Sequence, residues 1–265
     1  MSAPTSLTSP SSLSTVVPAL RAAGCVFAEE EAELLLSAAR TPDELDIMVD
    51  RRVAGHPLEH VLGWAEFRGL RVAVDAGVFV PRRRTEFLAE QAIALARPGA
   101  VVVDLCCGSG AVGAALLAAL GTVELHAADI DPAAVRCARR NLGGDGRVYE
   151  GDLYAPLPAR LRGRVDVIVA NAPYVPTASI DLLPPEARDH EPRVALDGGA
   201  DGLDLQRRVT AGALAWLAPD GRLLVETSER QAPRTVGTFA RGGLLPRVVT
   251  CDDLDATVVI GTRRG

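Results

Sequence analysis

A chain of 265 residues, 48% hydrophobic and 23% charged, can bury a core of ordinary size and has room for one large domain or a domain with a small appendage. Its formal net charge of −6 argues against a nucleic-acid backbone as the main ligand, although Arg82-Arg83-Arg84 forms a local basic patch. The five cysteines (Cys25, Cys106, Cys107, Cys137, Cys251) contain no C-x-x-C pair, which leaves no disulfide framework and no metal site and makes a reducing cytoplasm the expected setting.

No apolar run approaches the ~18 residues of a membrane helix, so no membrane partner is expected. Residues 1–13, rich in Ser, Thr and Pro and without basic residues ahead of an apolar run, read as a disordered tail and not as a signal peptide. Short helices are expected over residues 14–62, from Thr15 to Ala23 and from Glu29 to Arg40. A third opens at Thr41-Pro42-Asp43-Glu44, with threonine as N-cap and proline in the first turn, and runs to about Val53 before Gly55. So small a helical unit must lean on a larger body or on a partner.

From Trp64 to Val80 the apolar period changes to two around the turn signals Arg68-Gly69 and Asp75-Ala76-Gly77, which predicts a β-hairpin linker over residues 63–80. After Pro81 strands and helices alternate to residue 265, the pattern of an α/β domain with a parallel sheet. The expected order is helix Thr85–Ala96, strand Ala100–Leu105, helix Ala111–Leu120, strand Val123–Asp129, helix Pro132–Asn141, a short strand near Arg147–Glu150 and strand Val165–Ala170. A long irregular segment, residues 175–202, leads to helix Leu203–Leu217, strand Arg222–Thr227, helix Ala232–Ala240 and two strands near Arg247–Cys251 and Ala256–Thr262. Those last two are close enough in sequence to pair as an antiparallel edge hairpin.

Four motifs fall at strand ends, where an open α/β sheet presents ligands. The strand through Asp104 and Leu105 runs into Cys106-Cys107-Gly108-Ser109-Gly110, a tight turn that opens a helix and lets the backbone approach a ligand. Asp129, about 20 residues further on, is placed to accept hydrogen bonds from ribose hydroxyls; turn and acid together suit a dinucleotide or S-adenosylmethionine. Asp152 can accept from an adenine amine while Leu153 covers the ring, although Gly151-Asp152 also reads as a plain turn. The fourth motif is Asn171-Ala172-Pro173-Tyr174. The Asn171 side-chain oxygen and the Ala172 carbonyl can each take one N–H of a planar amide or amine, and Tyr174 can stack on it. Thr85 and Glu86 are placed to shape the pocket from below. His56 and His60 are four apart, but Pro57 intervenes and no further ligand converges, so both read as structural.

These motifs, together with Pro57-Leu58-Glu59-His60-Val61-Leu62-Gly63, residues 78–86 and Glu191-Pro192-Arg193-Val194-Ala195-Leu196-Asp197-Gly198-Gly199, resemble the HemK/PrmC family of protein-(glutamine) methyltransferases, over some 200 residues from about Pro57. The resemblance implies a Rossmann-like class I methyltransferase fold, a mostly parallel seven-stranded sheet with an antiparallel edge hairpin, plus a small N-terminal helical domain that meets the protein partner. It further implies that Cys106, Cys107, Gly108, Ser109, Gly110, Asp129, Asp152, Leu153 and Asn171 hold S-adenosylmethionine, and that Asn171, Ala172, Pro173 and Tyr174 receive a glutamine. Ala172 stands where the family has a proline and Cys106 where it has a glycine, and the helical segment is shorter, as in a diverged paralogue.

The function expected from the resemblance is methylation of a glutamine amide in a protein, a release factor or a ribosomal protein. An exocyclic amine of a nucleic-acid base or a small-molecule amine is the alternative acceptor, since the same grip suits them. A silent binding module that merely retains the fold is disfavoured by the intact Asn171 and Asp129.

Overall fold

A computed structural model describes residues 10–265. Four helices come first: α1 (Pro10–Ala22), α2 (Ala28–Ala38), α3 (Pro42–Val53) and α4 (Leu58–Leu62). The first starts at Pro10, five residues before the expected Thr15, and so overlaps the expected tail, whose residues 1–9 lie outside the described region. A proline is tolerated at a helix start because its missing N–H would have no intrahelical partner there. As predicted, Thr41 caps α3, its hydroxyl accepting from the Glu44 N–H at 3.2 Å. Val16, Leu20, Leu35, Leu36, Leu45 and Val61 close a small core of their own.

Arg52, 7% exposed, ties this helical unit to the rest of the chain. Its guanidinium donates to both oxygens of Glu31 on α2 (2.6 and 3.1 Å), to Glu186 (2.6 Å) and to the His56 carbonyl (3.1 Å). Glu186 lies more than 130 positions away, so the cation bridges two parts of the chain that sequence separation alone would leave independent.

The expected hairpin is shorter than its apolar pattern. Strands β1 (Trp64–Phe67) and β2 (Leu70–Ala73) pair antiparallel through a turn in which Arg68 and Gly69 both have positive φ (50° and 73°). Val74, Val78 and Val80 continue the burial pattern but not the ladder, because they pack on Ala134 and Cys137 and their backbone groups are engaged elsewhere. The Val74 N–H donates to the Gly63 carbonyl, the Val78 carbonyl faces the His60 ring at 2.7 Å, and the Val80 N–H donates to Glu191 at 3.2 Å.

Helix α5 (Thr85–Leu95) leads into the alternating region: β3 (Val101–Leu105), α6 (Ala111–Leu120), β4 (Glu124–Asp129), α7 (Pro132–Leu142), β5 (Gly146–Glu150) and β6 (Val165–Ala170). The segment expected to be irregular contains a helix, α8 (Pro185–His190), and two short 3-10 turns, Thr177–Leu182 and Arg193–Ala195. Then come α9 (Asp204–Trp216), β7 (Leu217–Thr227), α10 (Ala232–Arg241), β8 (Leu244–Cys251) and β9 (Ala256–Arg263). The seven strands β3 to β9 form one sheet in the order β5-β4-β3-β6-β7-β9-β8, parallel except for β9, which runs antiparallel to both its neighbours.

Successive side chains on a strand point to opposite faces, and the core divides accordingly. Val102, Val167, Val169 and Leu224 pack under α5, α6 and α7, whereas Val103, Ile168, Leu223 and Val225 pack against α9 and α10. Register then sets the active edge. Leu105 lies beside both Ala128 and Ala170, Asp129 beside Glu150, and Ala170 beside Val225. The residues that follow those strand ends therefore emerge together.

Arg52→Ala leaves Glu31, 12% exposed, without its cation. The variant is expected to lose about 3 kcal/mol of unfolding free energy, read by urea titration; a loss under about 1 kcal/mol would show that the bridge adds little.

Candidate active site

The turn after β3 is held by an acid from the neighbouring strand. Asp129 Oδ2 accepts from the Gly108 N–H at 2.8 Å and Oδ1 from the Asp131 N–H at 2.9 Å, which leaves further lone pairs on both oxygens. Cys106, Gly108 and Gly110 all take positive φ (56°, 54° and 81°). A cavity of about 260 Å³ opens over this turn. Cys106, Cys107, Gly108, Ser109, Asp129, Asp152, Leu153 and Asn171, eight of the nine residues expected to hold the cofactor, line it. Gly110 is the exception: a Cβ there would fall 3.1 Å from that of Ala138, so this glycine serves the close packing of α7 on the turn.

Burial pushes the thiols of Cys106 and Cys107 well above the usual range, with nearby aspartates adding to the shift. Both remain neutral wall atoms, and neither is a nucleophile at ordinary pH. Asp152 accepts from Arg208 of α9 at 2.5 Å, so the expected adenine acceptor is itself held by a cation. Nothing in the spacing of Arg208, 56 positions away, announces that pairing. Asp104 was the more legible omission, an acid inside the apolar run Val101–Leu105. It lines the same cavity, 2% exposed, with one oxygen accepting from the Gly113 N–H at 3.2 Å. Burial, with the charge of Asp129 adding to it, pushes its carboxyl up to about 7 against the pull of the Gly113 hydrogen bond. Asp129 is also raised, chiefly by burial.

A second cavity, about 320 Å³, is lined by Asn171, Ala172, Pro173 and Tyr174 together with Glu59, Arg82, Arg84, Glu186 and Glu191. The two cavities share Phe79, Asn171, Pro173 and Ala195 as a common wall. Thr85 lines the first, and its hydroxyl accepts from the Asn171 side-chain N–H at 3.2 Å, whereas Glu86, expected beside it, does not line the cavity and accepts from the Arg68 N–H at 3.1 Å. Tyr174 donates its phenol to Glu226 on β7 at 3.3 Å, and the Arg84 Nε lies 3.6 Å from the same oxygen.

The arginine patch is not an open basic surface. Arg82 pairs with Glu191 at 2.5 Å and covers the Phe79 ring, Arg84 faces Glu226, and Arg83 is exposed. His60 binds the Val78 carbonyl, and the His56 ring packs at a tilt of 33° against that of His190 with centroids 4.2 Å apart, which places both histidines in packing contacts.

The loop rich in Asp and Gly backs the turn Asn171–Tyr174. The Gly198 N–H donates to the Val175 carbonyl at 2.8 Å, and the Gln231 side chain donates to the carbonyls of Tyr174 (3.0 Å) and Asp201 (3.2 Å). A Cβ on Gly198 would lie 2.8 Å from the Pro173 carbonyl oxygen and 2.8 Å from the Tyr174 Cα, both backbone atoms.

Residues 69–182 match the family model described as Methyltransferase small domain. A release factor glutamine methyltransferase from Geobacter sulfurreducens is 38% identical over 230 residues, covering 84% of this chain and 80% of that protein. The chain belongs to the release factor glutamine methyltransferase family. The enzyme of that name from Cereibacter sphaeroides is 35% identical over 266 residues, 92% of this chain and 93% of that one, so the likeness extends into the N-terminal helical segment. Among solved structures, a methyltransferase from Pyrococcus furiosus (TM-score 0.57, 16% identity, 75% of this chain and 91% of that one) shares the fold. So does a ribosomal protein L11 methylase from Lactobacillus delbrueckii (TM-score 0.53, 18% identity, 73% and 86%).

Two outcomes follow for this member of the family. Asp104 has a folded-state carboxyl raised above its unfolded value of about 4, so it favours the fold while protonated; that contribution is present below pH ~4 and is lost as pH rises through about 7. The ligand-free melting temperature of Asp104→Asn, relative to the unsubstituted protein, is therefore expected to climb by about 5 °C between pH 5 and pH 8, and a flat difference would refute the buried charge. Gly198→Ala presses on the turn from behind. It is expected to slow methyl transfer roughly tenfold or more while leaving ligand binding in the first cavity nearly unchanged; turnover within about twofold of the unsubstituted enzyme would count against that support.

Proposed function

We propose that this chain transfers a methyl group from S-adenosylmethionine to the side-chain amide nitrogen of a glutamine in a protein, a peptide chain release factor being the substrate class named in its relatives. The observation that carries the reading is the shared wall. Two cavities, of about 260 and 320 Å³, meet at Asn171 and Pro173, which supports one serving the cofactor and the other the acceptor.

The first cavity fits this cofactor on its own chemistry. Two buried carboxyls held up by desolvation, Asp104 and Asp129, suit a ligand that brings an ammonium group and ribose hydroxyls. Phe79, Leu153 and Val194 offer apolar wall for an adenine ring, and Asp152 an edge for its amine. Cys106 to Ser109 would line the methionine and ribose side. When bound, S-adenosylmethionine supplies an electrophilic methyl group on a sulfonium.

An amide nitrogen is a poor nucleophile because its lone pair is delocalised into the carbonyl. Asn171 Oδ1 and the Ala172 carbonyl would each accept one N–H of the glutamine amide and hold its nitrogen toward the shared wall. Tyr174 would cover the planar group. Most of the acceleration would come from holding that nitrogen in place against the methyl donor. The two acceptors would stabilise the positive charge on the N–H groups as the nitrogen takes up the methyl group, and one amide proton would pass to water. The helical segment, residues 14–62, is proposed as the side that meets the protein partner. Its support is the Arg52 bridge to Glu186, which lines the acceptor cavity.

A cell lysate incubated with the enzyme and methyl-labelled S-adenosylmethionine is expected to yield label on a glutamine of a release factor. Asn171→Ala should abolish that label yet retain the rise in melting temperature caused by the cofactor. Label on nucleic acid or on a small amine would overturn the assignment of the acceptor.

A further inference from the structure

Glycine is a poor helix former, so Gly212 in the interior of α9 needs a packing reason. The ring of Tyr154 supplies it. A Cβ on Gly212 would fall 2.6 Å from Tyr154 Cε2 and 2.7 Å from its Cδ2, so the ring lies flush against the helix. The Tyr154 phenol donates to the Val209 carbonyl at 2.8 Å. The ring also stacks on that of Trp216, with centroids 5.7 Å apart and planes 12° from parallel. Burial raises the phenol well above its ordinary range, which keeps it a donor.

Tyr154 is thus fixed to one face of α9, where Leu205, Arg208, Val209, Gly212 and Trp216 follow one another at helical spacing. Two positions earlier in the chain, Asp152 is fixed to the same face by Arg208 at 2.5 Å. Leu153 lies between these two anchors. It is 8% exposed, takes a φ of 48° and lines the first cavity together with Asp152, Leu205 and Arg208. A leucine leaves the left-handed region unless its surroundings prevent it. The Asp152–Arg208 pair is half exposed on both sides and is a weak restraint on its own. The packed and hydrogen-bonded ring of Tyr154 is the stronger one.

We propose that Tyr154 is a positioning residue for cofactor binding: docked on Gly212 and the Val209 carbonyl, it holds Leu153 in its left-handed turn and so keeps that residue on the adenine wall of the first cavity. Gly212 is the seat that this docking requires. The inference rests on the reading of the first cavity as the S-adenosylmethionine site and adds the contact that shapes it from outside. Neither Tyr154 nor Gly212 lines the cavity, so neither has to touch the ligand.

Two variants of the full chain test this by different routes. Tyr154→Leu removes the ring and keeps an apolar side chain. Gly212→Ala leaves Tyr154 in the sequence but pushes its ring off the helix, and because alanine is the better helix former this variant is expected to fold. In the ligand-free protein the positive φ of Leu153 brings its N–H close to its own Hα, which gives a strong intraresidue NOE. That cross-peak is expected to weaken in both variants, and the Kd for S-adenosylhomocysteine, by calorimetry, to rise roughly tenfold. Tyr154→Phe keeps the ring on its seat and is expected to stay within about threefold of the unsubstituted protein. In turnover the loss should fall on the KM for S-adenosylmethionine, with kcat at saturating cofactor within about twofold.

A Kd within about twofold of the unsubstituted protein in both Tyr154→Leu and Gly212→Ala overturns the inference, as does a Leu153 cross-peak unchanged in both. Failure of the unsubstituted protein to bind S-adenosylhomocysteine refutes the cofactor reading itself and takes this inference with it. That result is read before any variant is made, so the two failures are told apart.

Discussion

Strand β3 pairs in parallel with β4 on one side and β6 on the other, and the crossovers from these strands leave on opposite faces of the sheet. Helix α6 carries the chain from β3 to β4 over one face, and α9 carries it from β6 to β7 over the other. A crevice must open where the two directions part, at the carboxyl ends of the strands. Every group assigned to the reaction reaches that crevice from a strand end or from the segment just after it. The separation between Asp104, Asp129, Asp152 and Asn171 in sequence is large, but the register removes it. The site depends on the parallel ladder before it depends on any one side chain.

The charges of the crevice follow one pattern. Asp104, Asp129 and Glu226 are all raised by burial, and none has a cation in close, fully buried contact. The cations present, Arg82, Arg84 and Arg208, sit at the rim and each is engaged by an acid. Such an edge disfavours phosphate and favours ligands that bring positive charge or N–H and O–H donors. A sulfonium and an amide are of that kind, and Glu59, Glu186 and Glu191 in the lining of the second cavity continue the same bias.

Much of this was legible in the sequence because it rests on local rules. The alternation of apolar strands with helices predicted the sheet, and the last two strands paired as the antiparallel edge that their proximity implied. The glycine turn, Asp129 and the Asn171–Tyr174 turn could be read because each couples a residue type to a strand end. Features set by distant contacts could not. Arg208 meets Asp152, Arg52 meets Glu186 and Glu226 meets Tyr174 across spans that carry no periodic or motif signal. The over-long hairpin has the same origin: Val74, Val78 and Val80 alternate like a strand because α7 buries them, and burial pattern alone does not say whether a ladder partner exists.

The two departures from the family pattern now have a common explanation. At Cys106 and at Ala172 the proposed roles fall on the backbone: a left-handed turn in the first case, a carbonyl in the second. Cys106 takes a φ of 56°, which disfavours any side chain, and Leu153, facing the same cavity, takes 48°. Each such residue costs on the order of 1–3 kcal/mol and persists only where its surroundings dictate the conformation. Here they do: the Cys107 N–H is held by the Ala128 carbonyl, and the Gly108 N–H by Asp129. Ala172 is fully buried beneath a turn whose outgoing carbonyls are gripped by Gln231 and Gly198. A proline there would stiffen a segment that tertiary contacts already hold, and so its replacement leaves the grip in place.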